Sequence, residues 1–142
     1  MSKGDTFEND LLKLIFNATA IANIADNAAT SPLTVLYVSL HTADPGEAGS
    51  QTTNEVAYTG YARVSVARTS GGWTITANSV SPVATIAFGL DTVGSGTATH
   101  AAVGTASSGA GKILYSGALS PTIAYAPGVT PQIGTTSTIT ED

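Results

Sequence analysis

Apolar positions along this chain change their period near residue 32. From residue 5 to about 27 they recur every three or four residues: Phe7, Leu11, Leu14, Ala18, Ile21 and Ala25, widened by Leu12, Ile15 and Ala22. Asn9, Lys13, Asn17 and Asn23 fall on the opposite side. This is the stripe of an amphipathic helix. Asp5 or Thr6 can cap it, and Glu8 three residues after Asp5 makes an acidic variant of the capping box. Asp26-Asn27 and Ser31-Pro32 are the stop signals. The pattern therefore predicts a helix over about residues 6–27, which either closes one end of a β core or docks on a partner.

After Pro32 the period is two. In "LTVLYVSL" (33–40), Val35, Tyr37 and Ser39 share one face, and Leu36, Val38 and Leu40 share the other. "YARVSVART" (61–69) alternates again, and "GGWTITANSV" (71–80) follows across Ser70-Gly71-Gly72, a short turn of hairpin type. Further short runs are "VATIAF" (83–88), "TATHAAVGTA" (97–106), "KILYSGAL" (112–119), "TIAYA" (122–126) and "TSTIT" (136–140). Gly, Ser and Pro clusters separate them. The expected fold is mainly β, an antiparallel β-sandwich or barrel with one N-terminal amphipathic α-helix. With no internal repeat or linker, one domain spans 1–142, its β part at about 33–140.

One stretch breaks this rhythm. Between His41 and Ala57, "ADPGEAG" suits a type II turn, with Asp44, Pro45 and Gly46 in its first three positions, and "SQTTNEVAYTG" has no strong period. Loops longer than about 12 residues inside compact domains are usually functional or mobile.

Composition sharpens the question. Only 11% of the 142 residues are charged, against about 25% in ordinary soluble domains, while 42% are hydrophobic. A surface so poor in charge points to one covered by neighbours. Net charge is −5, and the five basic residues, Lys3, Lys13, Arg63, Arg68 and Lys112, form no stripe for phosphates. Direct nucleic-acid binding is not expected. No cysteine is present, so disulfides and thiolate metal sites are excluded. No signal-like segment or apolar run of about 20 residues predicts export or a membrane span.

Candidate chemistry is sparse. Ser39, His41 and Asp44 suggest a triad, yet Ser39 and His41 project side by side from one strand, where convergence on a substrate is not expected. His41 and His100 lack the neighbours of a metal site, so neither metal nor cofactor is expected. "GTASSGAGKIL" (104–114) has Ala106 where a phosphate loop needs Gly and Ile113 where it needs Ser or Thr. Trp73, next to a turn, is expected to pack in or beside the core rather than to stack on sugars.

"LYVSLHTADPGEAGSQTTNEVAYTGYARVSVAR", followed by "GGWTI" and later "GTASSGAGKILYSGAL", resembles a family of small virion structural proteins of tailed bacteriophages, labelled tail fibre or head decoration. The resemblance covers about residues 7–119. It implies no catalytic residues, so the chain is expected not to be an enzyme. The first expectation is a capsid decoration, or cement, protein made in the host cytoplasm, bound outside the head to the major capsid protein and to copies of itself, as in trimers at local three-fold axes. The alternative is a tail or tail-fibre component acting in host attachment, with tail proteins as partners. In either setting the helix and the loop from Thr42 to Thr59 are the expected grips. His41, Asp44, Glu47, Tyr58, Tyr61 and Arg63 are the expected interface residues, with Arg63 able to meet a neighbour's carboxylate.

Overall fold

The computed structural model describes residues 5–21 and 33–141. The fold is mainly β, with antiparallel sheets and one helix near the N-terminus, an inventory consistent with a β-sandwich. It clusters into two compact units whose segments interleave in sequence: residues 1–35, 66–85 and 134–142 form one, and residues 36–65 and 86–133 form the other.

The first unit holds the helix α1 (Asp5–Asn17). Leu12 and Phe16 are fully buried and Glu8 nearly so, a ridge of four-residue steps. Phe16 meets Trp73 edge to face with ring centroids 4.8 Å apart, so α1 packs on a core and Trp73 belongs to it. The helix is shorter than its apolar stripe. At Ala18 the backbone takes φ of 53°, and the Thr19 amide closes onto the Lys13 carbonyl at 3.1 Å. Residues 22–32, which carry the stop signals, lie outside the described residues.

No basic residue lies in the last turn of α1. Arg68 supplies that charge from elsewhere in the chain. Its Nε donates to the Ile15 carbonyl and its Nη2 to the Leu14 carbonyl, both at 2.5 Å. Helix C-termini leave their last carbonyls unpaired and favour cations, so one guanidinium answers both needs. Its Nη1 also reaches the Leu33 carbonyl at 3.2 Å.

The same unit contains a three-stranded antiparallel sheet of β3 (Trp73–Thr76), β4 (Ser79–Pro82) and β9 (Ile139–Thr140), in the order β3-β4-β9. The run 71–80, expected as one strand, is a hairpin turning at Ala77-Asn78, with φ of 52° at Ala77. Ser70-Gly71-Gly72 does turn the chain, yet it joins no hairpin, because β2 (Val64–Ala67) and β3 lie in different sheets. Gly72 comes so close to the Ala67 carbonyl oxygen that a Cβ there would sit 2.1 Å from it.

The second unit centres on β1 (Val35–His41), in the sheet order β2-β1-β6-β7. β6 (Gly96–Gly104) runs antiparallel to it, pairing Tyr37 with Gly104 and His41 with His100. β7 (Ile113–Tyr125) is a single strand where the sequence suggests two, with register shifts against β6. β5 (Ile86–Ala87) and β8 (Gln132–Ile133) form a separate pair. Leu36, Val38 and Leu40 are buried as their alternation predicts, but Ser39 and His41 on the other face are fully buried too. What covers them is the long loop.

Candidate functional site

The segment from Thr42 to Gly60 is pinned to β1 along its length. The Val56 amide donates to the Leu40 carbonyl at 2.9 Å, the Thr42 amide donates to the Asn54 carbonyl at 2.8 Å, and Glu55 bridges to His41. At its outer bend Asp44 Oδ1 accepts from the Gly46 amide at 2.8 Å, with φ of 70° at Gly46. Gly46 takes the positive φ that the expected type II turn needs, but the bend is closed as an Asx turn, and the backbone turn bond runs one step on, from the Gly49 amide to the Gly46 carbonyl at 3.1 Å. Asn54, at φ of 56°, donates through Nδ2 to the Asp44 carbonyl at 3.0 Å and closes the bend.

Beneath the loop lies a charged knot. Arg63 Nε meets Glu55 Oε1 at 2.7 Å and its Nη2 meets Oε2 at 2.8 Å, a two-pronged fork. The remaining guanidinium protons go to the Ala106 carbonyl at 3.0 Å and the Gly109 carbonyl at 2.8 Å. Tyr61 donates its hydroxyl proton to Glu55 Oε1 and accepts from the Leu40 amide. The Arg63 side chain is 2% exposed and that of Glu55 17%. The Glu55 hydrogen bond holds the Arg63 guanidinium above its usual pKa, and burial pushes the Tyr61 phenol well up. Loop, strand entry and the turn after β6 are thereby tied at one point.

Gln51 makes a second tie. Fully buried, it donates from Nε2 to the Tyr37 carbonyl at 3.3 Å and accepts at Oε1 from the Ala106 amide at 3.0 Å. Gly104 and Gly111 leave room for it: a Cβ on either would lie 2.2 Å from a Gln51 side-chain atom. The sequence reading singled out neither Gln51 nor Glu55. The signal available for Glu55 was its charge, in a chain where charge is scarce.

Tyr58 lies in an aromatic cluster, edge to face with Tyr61 at 5.4 Å and tilted against Tyr125 at 5.3 Å, while its hydroxyl donates to the Gly89 carbonyl at 2.7 Å. Tyr61 stacks on Phe88 at 6.1 Å. Burial raises the Tyr58 phenol pKa. Of the six expected interface residues, the structure thus brings His41, Tyr58, Tyr61 and Arg63 together beneath or beside the loop, with intramolecular partners. Asp44 and Glu47 are exposed on its outer bend. With them, Thr42, Ala43, Gly46, Ala48, Thr52, Asn54, Ala57, Thr59 and Gly60 form the exposed surface of the segment.

Ser39 and His41, expected to project side by side from one face of the strand without converging, do meet at hydrogen-bond distance. Ser39 Oγ lies 2.9 Å from His41 Nε2. His41 Nδ1 lies 2.8 Å from the Thr53 carbonyl oxygen, which can only accept, so the proton sits on Nδ1 and Ser39 donates to Nε2. Asp44 is turned away toward Gly46. Both Ser39 and His41 are fully buried, which leaves a substrate no approach to this pair. Burial lowers the His41 pKa, favouring the neutral ring that these bonds require. Among the described residues no group of three or more His, Cys, Asp or Glu side chains gathers to hold a metal. No helix in the described residues is long and apolar enough to cross a membrane.

No curated protein matches the chain. A family model described as podophage GP4 fiber I protein gp80 matches residues 2–140. That match extends beyond residues 7–119, which carried the resemblance to tailed-phage virion proteins, and it identifies a fibre family. The chain belongs to the podophage GP4 fiber I protein gp80 family.

Proposed function

We propose that this chain is a non-enzymatic structural subunit of a tailed-phage fibre that contributes to host attachment. The family match over residues 2–140 carries the reading. It favours the tail-fibre alternative over the capsid decoration role that stood first on sequence grounds, since the matching model describes a fibre protein. The pinned loop supports it as well. A segment held by the Glu55–Arg63 fork, by Gln51 and by an Asx turn presents fixed backbone and small side chains to a partner, and pre-ordering lowers the entropy lost on docking.

In this reading the partners are other virion proteins, tail components among them, and further copies of the chain. Contact with them or with host glycans falls to exposed groups such as Asp44, Glu47 and the Thr side chains. Trp73 and Tyr58, at 2% and 8% exposure, are core residues and unsuited to sugar stacking.

The test is imaging of virions in which this chain carries a small label, together with adsorption measurements on particles lacking it. Label on the tail fibres, with adsorption lost and heads intact, is the expected result. Label confined to the head surface, with adsorption unchanged, would overturn the fibre reading and return the decoration role.

A further inference from the structure

Within the first unit, α1 and the turn of the β3-β4 hairpin wall an open cleft of about 480 Å³. Small-molecule sites run from roughly 300 to 1,000 Å³. The helix lines the cleft with Thr6, Asn9, Asp10 and Lys13, which share one face at steps of three and four residues. The turn contributes Ala77 and Asn78. Asn9 Nδ2 donates to the Ala77 carbonyl and so joins helix to turn, while Asn78 Nδ2 donates to the Glu141 carbonyl at 2.9 Å. Neither carboxamide oxygen has a partner among the described residues, so each can accept.

Glu8 reaches the same cleft from the ridge that continues through Leu12 and Phe16. It is 6% exposed, yet its carboxylate has no hydrogen-bond or ionic partner among the described residues. Its oxygens are not sealed in, unlike those of Asp91, and the cleft is their outlet. Charges held this deep are ordinarily paired, because losing water without a substitute is costly. An unpaired carboxylate at the wall of a cleft is a group kept for a ligand.

The mixture of signs and the polarity select that ligand. Lys13 opposes a bare cation, and Glu8 and Asp10 oppose an anion. Among the described residues the lining carries no aromatic ring and no large apolar side chain, so it offers a protein partner no pocket for an anchor. A neutral ligand covered in hydroxyls fits: it donates to the carboxylates and carboxamide oxygens, accepts from Lys13, and replaces water bond for bond. We infer that this cleft binds a saccharide of the host surface through hydrogen bonds and without ring stacking, the host origin of the sugar resting on the attachment reading above. The tie between Asn9 and Ala77 sets the two walls before the ligand arrives, which lowers the entropy lost on binding.

The experiment exposes the full chain to a printed array of bacterial surface saccharides, then titrates each retained sugar into the isotope-labelled chain by amide NMR. Wild type, Glu8→Gln and Asp10→Asn are compared, with calcium chloride and sodium phosphate as charged probes. At least one saccharide is expected to give saturating shifts confined to the amides of residues 6–13 and 77–78. Glu8→Gln keeps the side chain's shape and breaks no internal bond, so it should weaken binding about tenfold while melting no lower than wild type. Asp10→Asn, at a half-buried position, should weaken it less. No saccharide retained, shifts that map elsewhere, or saturation of these amides by calcium or phosphate alone overturns the inference. Glu8→Gln that melts lower and binds as wild type does overturns it too, by making Glu8 structural. Fibre-labelled virions whose chain binds no saccharide remove the cleft and spare the attachment reading. Saccharide binding by a chain found only on heads removes that reading, and the host origin with it, but not the site.

Discussion

Two arginines five residues apart do different work in the two units. Arg68 spends its guanidinium on main-chain carbonyls at the end of α1 and at Leu33. Arg63 forks onto a carboxylate, Glu55, and only then onto the Ala106 and Gly109 carbonyls. Both gather segments distant in sequence. They differ in what is left behind on removal: carbonyls at a partly exposed helix end that water can reach, or a mostly buried carboxylate stripped of its cation. The helix end is reinforced by its arginine, whereas the loop depends on its own.

That contrast sets the size of each expected effect. Arg63→Ala should cost about 3–5 kcal/mol of unfolding free energy, since breaking one side of a buried pair strands the other. Denaturant titration measures it. The double variant Glu55→Gln/Arg63→Met should recover much of that loss. If it does not, the fork is not the reason the loop holds.

Gln51→Ala comes next, at about 1–3 kcal/mol, because it leaves the part-buried Tyr37 carbonyl and Ala106 amide short of a partner. Gly111→Ala, which drives a methyl into Gln51, should be partly relieved when combined with Gln51→Ala. Arg68→Ala should cost about 1–2 kcal/mol, mostly as fraying at the end of α1 that amide exchange can localise. An Arg68 loss equal to that of Arg63 would erase the distinction between the two knots.

The smallest effect is tied to pH. Burial lowers the His41 pKa, so between the folded value and about 6.5 the unfolded chain binds more protons than the folded one. Stability should therefore fall as pH drops below about 6.5 and level off below the folded pKa. Replacing His41 with Gln should flatten that part of the curve in urea midpoints measured from pH 8 to 5. A slope unchanged in the variant would move the proton uptake to another group.

Much of the fold was legible because periodicity reports burial on one face. Leu36, Val38 and Leu40, the Asp44 turn and the start of α1 all follow from local pattern. Alternation was misleading where the opposite face of a strand is covered as well, as at Ser39 and His41. The stripe past Asn17 continued on paper, yet the backbone turns at Ala18. The candidate site was half legible: Arg63 and the tyrosines stood out by residue type, but a type does not say whether its partner lies in the same chain.

The amino-acid order alone determined a mainly β chain, poor in charge, with a helix near its N-terminus, since each of these follows from spacing and composition. Tertiary structure decided the rest. Glu55 reaches Arg63, Gln51 passes over Gly104 and Gly111, and Arg68 finds the carbonyls of α1 only once distant segments meet. Hydrogen bonds and ion pairs act over a few ångströms, so their partners are chosen by the folded path of the chain and not by distance along it.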